Sequence, residues 1–242
     1  MSSEKEKENG IFFHYGNNKY KLGISGVTGL MSGLRASGKS HYTKSMAAAV
    51  VSGEVVDGWE INMDGVHYID LEMHKSLSEA IISQTLDISS VTKAKFKEKY
   101  SYTNLADLAS PKDKYKKTCD IISNSKRQFI IVDNLTNMSN DSNSQNEGSE
   151  IITKMVSLAI KEDKFILMVA HNAQDGTPYG VVGKKFLDGC SIALSLERDM
   201  NENFTKVETI KSRFSTPPVY DFSFDENNRV VLGPYIPFPL NF

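Results

Sequence analysis

The sequence predicts an α/β fold, a mostly parallel central sheet flanked by helices, with antiparallel strands at its C-terminal end. Three observations predict it. A glycine-rich turn, Gly33-Leu34-Arg35-Ala36-Ser37-Gly38-Lys39-Ser40, joins a strand-like run at 27–31 to a helix-like run at 40–51. Two wholly apolar runs, 129–132 and 165–170, are separated by an amphipathic stretch, the spacing of parallel strands covered on both faces. The last third holds three strand-like runs with short connections, at 191–196, 206–210 and 219–224, as antiparallel pairing requires.

Taken in order, residues 1–10 are charged and polar and read as a frayed tail. The remainder, 11–242, is expected to form one domain, a size that suits a single large core. Runs 11–15 and 19–24 read as a hairpin turning at Gly16-Asn17-Asn18, placed to cover the sheet edge or a nucleotide base. The helix at 40–51 ends at Gly53, and its Met46-Ala47-Ala48-Ala49 run is small enough to lie close on a sheet. A strand at 66–71 closes with Glu72, and a helix at 75–85 follows. Residues 86–118 are Lys-rich, with helical pieces at 91–100 and 112–122, and their lysines read as a solvated face. Residues 136–150 are Asn-, Ser- and Asp-rich and are expected to be a mobile loop, followed by an amphipathic helix at 151–161. A second polar, glycine-rich loop is expected at 173–183. The aromatic, proline-rich tail at 233–242 cannot be a helix.

Composition narrows the function classes. The net charge of −2 supplies no global basic field for nucleic acid, so any such contact must be local or made by several subunits together. The two cysteines, Cys119 and Cys190, have no metal-ligand spacing and fit a reducing compartment. No apolar run approaches the ~20 residues that span a bilayer, and the polar N-terminus has no apolar signal core. A cytoplasmic location and no membrane partner are therefore expected.

The chemistry centres on the turn at 33–40, which fits G-x-x-x-x-G-K-[ST]. Its glycines allow a tight path that turns several N–H groups toward one point, where the helix N-terminus adds its positive end. Gly33, Leu34, Arg35, Ala36, Ser37, Gly38, Lys39, Ser40 and the adjoining His41 form the expected nucleotide-binding set. Lys39 would reach the β- and γ-phosphates of ATP, and Ser40 would hold Mg²⁺. Asp133, at the end of an apolar strand, is the second expected Mg²⁺ residue. Glu72 ends another strand, on the edge where open α/β sheets bind ligands, and can orient an attacking water; Asp70, two residues earlier on the same side, competes for that role. His171 ends the run at 165–170 and would lie near the γ-phosphate. Lys211 and Arg213 project the same way from an extended segment. By spacing alone they read as a surface basic pair, though such a pair can also stabilise phosphate charge.

These pieces, in this order, resemble the RecA-like P-loop ATPases, above all the DnaB-type and single-domain plasmid RepA-type hexameric replicative helicases. Tyr68-Ile69-Asp70-Leu71-Glu72-Met73 resembles the segment that carries their catalytic carboxylate, which implies that role for Glu72. Val169-Ala170-His171-Asn172 resembles their strand-end sensor. The stretch from Gly180 to Asp188 resembles the tail of their second DNA-binding loop and the helix after it, which implies DNA contacts for Lys184 and Lys185. Lys211-Ser212-Arg213-Phe214 resembles their K-x-R finger, which reaches the nucleotide of a neighbouring subunit. The resemblance covers residues 20–230 and lacks the extra domains of DnaB and RadA, pointing to the RepA-like or phage-encoded single-domain class in bacteria. It implies a homo-oligomer, a hexameric ring, with the loops at 136–150 and 173–185 facing single-stranded DNA in a central channel. The expected function is an ATP-hydrolysing oligomeric motor on single-stranded DNA, a replicative-type helicase. The alternative is a RecA-like ATPase without unwinding activity: a recombination mediator, helicase loader or nucleotide-gated assembly protein.

Overall fold

The computed structural model describes residues 7–174, 176–178, 180–199, 203–226 and 229–233. The chain opens with β1 (Gly10–Tyr15) and β2 (Asn18–Gly23), then β3 (Thr28–Gly33), α1 (Lys39–Ser52), β4 (Trp59–Asn62) and β5 (Val66–Asp70). A 3₁₀ turn at Lys75–Leu77 leads into α2 (Ser78–Ser89), α3 (Lys93–Lys99), β6 (Tyr100–Asn104), α4 (Pro111–Asn124) and β7 (Phe129–Asp133). A second 3₁₀ turn, Leu135–Met138, precedes α5 (Gln145–Lys161), β8 (Phe165–His171) and α6 (Gly180–Gly189). The last strands are β9 (Ile192–Asp199), β10 (Phe204–Ser212), β11 (Tyr220–Phe224) and β12 (Val230–Leu232).

Nine strands form one sheet in the order β12-β11-β10-β9-β3-β8-β7-β5-β6. The strands from β9 to β6 in that order run parallel, and β10, β11 and β12 continue antiparallel, which is the expected fold class. Side chains alternate through the parallel part, so Met31 of β3 belongs to the apolar core on one face and Leu30 to that on the other. The first core holds α1 with parts of α2 and α3; the second holds α4, α5 and α6. Because β7 and β8 are covered on both faces, they are apolar at every position before their last residues, Asp133 and His171. Helix α1 is buried along almost its whole circumference, against the sheet, α2, α3 and β4. Small residues at Ala47, Ala48 and Ala49 fit that close packing, and Gly53 ends the helix at φ 73°.

The N-terminal hairpin joins β4 in a separate sheet ordered β2-β1-β4. It covers the antiparallel end of the large sheet through Phe13, whose ring stacks on Tyr220 at 4.5 Å. The expected hairpin is present, but it packs on core side chains and does not line the loop cleft described below. Strand β4 is four residues long, too short for its alternation to stand out, and β6 lies at the end of a Lys-rich run that reads as helical through Tyr100.

The expected loop at 136–150 is replaced in part by structure. Helix α5 begins six residues before the expected start, at Gln145, capped by Ser144 Oγ on the N–H of Glu147. The Glu147 carboxylate accepts from Ser139 Oγ at 2.6 Å and from the Asn140 N–H at 2.8 Å, so polar side chains close the backbone on itself. Likewise α6 takes up residues 180–185 of the second expected loop. Residues 1–6 of the expected tail and the proline-rich segment after Gly233 lie outside the described residues.

The packing beneath the glycine-rich turn gives a stability test. Phe222 of β11 is fully buried and stacks on Tyr42 of α1 with centroids 5.1 Å apart, and a Cβ on Gly38 would meet its ring at 3.1 Å. Phe222→Ala should cost about 3–5 kcal/mol of unfolding free energy in urea titration; a loss under ~1 kcal/mol would contradict this packing role.

Candidate functional site

The carboxyl ends of β3, β5, β7 and β8 share one edge of the sheet, and the turn after β3 closes over it. Two positions require glycine. A Cβ on Gly33 would lie 2.4 Å from the Leu196 carbonyl, and Gly38 has φ +86°. The first turn of α1 has no side-chain cap, so its N–H groups remain open to an anion. Lys39 folds back over the loop: its Nζ donates to the carbonyls of Gly33 and Leu34 at 2.7 Å each and to Ser37 Oγ at 3.3 Å. Burial pulls its pKa down to about 8, against the opposing pull of Asp133 and Glu72. It remains mainly protonated at neutral pH. Leu34, Arg35, Ala36 and Ser40 are exposed at the mouth, and Ala36 takes a positive φ of 61°.

Across the cleft the carboxylates divide their roles. Asp70 and Asp133 sit at paired positions on β5 and β7. Asp70 is buried and fully engaged: Oδ1 accepts the N–H groups of Glu72 and Met73 at 2.9 Å, and Oδ2 accepts the Tyr102 hydroxyl at 2.6 Å. It shapes the turn that carries Glu72, and both of its oxygens are occupied by protein donors. The Glu72 carboxylate receives Asn134 Nδ2 at 3.1 Å and lies 3.3 Å from His171 Nε2. The bond from His171, with that from Asn134, holds its pKa down to about 2. It is therefore ionised at neutral pH and accepts hydrogen bonds only.

Asp133 is buried and accepts the Tyr68 hydroxyl at 2.7 Å on Oδ2, which leaves Oδ1 without a protein donor in that bond. Burial raises its pKa to about 6. His171 Nδ1 and Asn172 Oδ1 are buried with no partner, orphans of the kind found beside ligand sites. Among the described residues no group of three or more His, Cys, Asp or Glu could cage a metal. Ser40, exposed at the mouth, and the buried Asp133 are the residues that could hold Mg²⁺, through phosphates and water as this cation prefers.

The loop from Arg35 to His41, with Glu72, Asp133 and His171, lines one cleft of about 660 Å³. The same cleft includes Arg198 at the end of β9, which the sequence reading missed: its guanidinium donates to the Ala36 carbonyl at 3.3 Å and to Asn203 Oδ1 at 2.9 Å. No motif marks Arg198, since only the β9–β3 pairing brings it to the loop. A larger cleft of about 1210 Å³ between α4 and α5 contains none of the site residues.

Two further groups of expected site residues lie away from the loop cleft. Lys184 and Lys185 lie within α6, Lys184 exposed and Lys185 partly buried over Gly148, so neither is on an open loop. Lys211 and Arg213 lie at the opposite end of the sheet. Ser212 pairs with Ile192, which pairs with Gly29 at the start of β3, on the order of 15 Å from the loop after Gly33. Lys211 Nζ donates to the carbonyls of Leu187 and Asp188 at the end of α6, so its cation is committed to a helix terminus. Arg213 is exposed, with its backbone N–H on the Ser191 carbonyl.

A model of the AAA domain family matches residues 20–177, a span that includes the loop, Glu72, Asp133 and His171. No curated protein matches the chain. Among the described residues no helix is long and apolar enough to cross a membrane.

The raised pKa of Asp133 gives a pH test without ligand. Its ionised form costs the fold free energy above about pH 6, and the cost vanishes once the group is protonated in both folded and unfolded states. Asp133→Asn should therefore raise ligand-free stability at pH 7.5 by roughly 2–3 kcal/mol, the gain fading by about pH 4. Denaturation at the two pH values measures it, and a gain independent of pH would refute the buried-charge account.

Proposed function

The chain belongs to the AAA domain family of P-loop ATPases, and from that premise we propose that it is an oligomeric ATP-driven motor on single-stranded DNA, of the replicative-helicase type. One observation carries the oligomeric part. Arg213 is exposed at the far end of the sheet from its own loop, so its guanidinium can serve a triphosphate only on a neighbouring copy. The site of one subunit holds Lys39, Ser40, Glu72, Asp133 and His171, and the next subunit supplies Arg213. Lys211 then acts as a positioning residue that anchors the strand end on α6. A head-to-tail contact of this kind closes into a ring when its rotation does, here a hexamer.

Within the site, Lys39 exchanges its loop carbonyls for phosphate oxygens, and Arg198 flanks them. Mg²⁺, held by Ser40 and through Asp133, supplies charge neutralisation on the phosphates. Glu72 positions water for in-line attack, and the His171 contact ties its orientation to the strand end nearest the γ-phosphate. Lys184 is the best-exposed candidate for a DNA phosphate on α6.

The second reading, a RecA-like ATPase without unwinding, is favoured by the absence of Lys and Arg from residues 136–150 and by the net charge of −2. ATPase rates with and without single-stranded DNA separate the two readings. The motor reading expects clear stimulation, and an unchanged rate supports the second.

Lys39→Ala should abolish ATP binding or turnover. Glu72→Gln should retain ATP and lose on the order of 10²–10³ in kcat. Arg213→Ala should retain ATP and lose on the order of 10³ in kcat. Mixing inactive Lys39→Ala with inactive Arg213→Ala should restore part of the activity, because each supplies what the other lacks. No restoration, or a monomer by size exclusion with a non-hydrolysable ATP analogue, would sink the shared site.

A further inference from the structure

Asp133 is held differently from its neighbour on β5. Asp70 takes three protein donors, whereas the Tyr68 hydroxyl, 2.7 Å from Oδ2, is the one donor to Asp133 among the described residues. The terminal torsion of an aspartate is broad and roughly two-fold, so its rotamer alone does not settle which oxygen turns toward the cleft that Asp133 lines. The bond from Tyr68 does. Tyr68 is itself fixed: it is 2% exposed, and its ring stacks on Tyr102 at 5.8 Å. A phenylalanine would fill the same space in this core, and a buried hydroxyl costs free energy unless it is bonded.

The same hydroxyl reaches toward the loop. Thr43, fully buried on α1, places Oγ1 3.4 Å from Tyr68 Oη and 3.2 Å from the Ser40 carbonyl. Tyr68 gives its only proton to Asp133, so the Thr43 hydroxyl is the donor to whichever of those two oxygens it serves. A buried line of polar atoms thus runs from Ser40 through Thr43 and Tyr68 to Asp133, and it joins the two residues that could hold Mg²⁺. Neither Thr43 nor Tyr68 lines the cleft. Their effect on a bound cation can pass only through Ser40 and Asp133.

We infer that Tyr68 is a positioning residue for Mg²⁺: its hydroxyl holds Asp133 Oδ2, leaving Oδ1 to serve the cation, and its contact with Thr43 fixes Asp133 relative to the loop end at Ser40. Groups that orient a metal's carboxylate commonly govern metal affinity by about 10–100-fold. This rests on the reading that Ser40 and Asp133 serve Mg²⁺ in the loop cleft.

Titration calorimetry on the full chain, with a non-hydrolysable ATP analogue in Mg²⁺ and in EDTA, tests it. Wild type should bind the analogue at least about tenfold tighter in Mg²⁺. Tyr68→Phe should lose about tenfold of that affinity in Mg²⁺ and stay within about twofold of wild type in EDTA. A merely structural role would weaken both alike. Thr43→Val should lose about threefold, in Mg²⁺ alone, and Thr43→Ser, which keeps the hydroxyl, should match wild type; this pair carries the test where Tyr68→Phe does not fold. Unchanged affinity of Tyr68→Phe in Mg²⁺, equal losses in Mg²⁺ and EDTA, or no difference between Thr43→Val and Thr43→Ser overturns the proposal. Failure of the underlying reading looks different: wild type binds the analogue equally with and without Mg²⁺, or Asp133→Asn keeps the wild-type preference for Mg²⁺.

Discussion

The site depends on two carboxylates buried side by side at the ends of neighbouring strands. Asp70 and Asp133 are paired across β5 and β7, where two buried carboxylates oppose one another. Two tyrosines on the same strands and their neighbour resolve the conflict. Tyr68 and Tyr102, themselves paired across β5 and β6 and stacked at 5.8 Å, donate to Asp133 and Asp70 respectively. Asp70 gains two backbone donors besides and becomes structural, while Asp133 receives only the tyrosine. The direction of its pKa shift expresses that difference. Glu72 owes its aim to Asp70, since the bonds from its own N–H and that of Met73 turn the chain toward His171.

The antiparallel end of the sheet contributes more than closure. Phe222 supports both Tyr42 and the close approach of Gly38, so the floor of the glycine-rich turn comes from residues far along the chain. β9 lies directly against β3, and its end delivers Arg198 to the turn. The hydroxyls of Tyr42 and Tyr220 meet inside the same buried cluster, joining α1 to β11 where the small sheet covers them. The loop is thus held from beneath by aromatic packing and from the side by its own lysine.

Much of this arrangement was legible in the residues. The strand–turn–helix around 33–40, the apolar strands β7 and β8, and the edge placement of Glu72, Asp133 and His171 follow from spacing and periodicity, which are local signals. Strands β4 and β6 escaped because one is too short for alternation to register and the other follows a lysine-rich helix without a break. The first loop was misjudged because its Asn, Asp and Ser side chains read as solvent-seeking, whereas here they satisfy the backbone around Glu147. Arg198 was invisible for another reason. It belongs to no motif and acquires meaning only through a non-local neighbour, β3. The commitment of Lys211 to α6 is equally non-local, and it separates two cations that look equivalent two residues apart.

Helix α6 begins shortly after the strand that presents His171 and ends where Leu187 and Asp188 clasp the Lys211 ammonium. Its first turn is fastened by the Val182 N–H to the Ser142 carbonyl, just ahead of α5. One short helix therefore runs like a strut from the nucleotide edge of the sheet to the edge that carries Arg213. A displacement at the strand tip that carries His171 would therefore be felt at the strand end that carries Arg213.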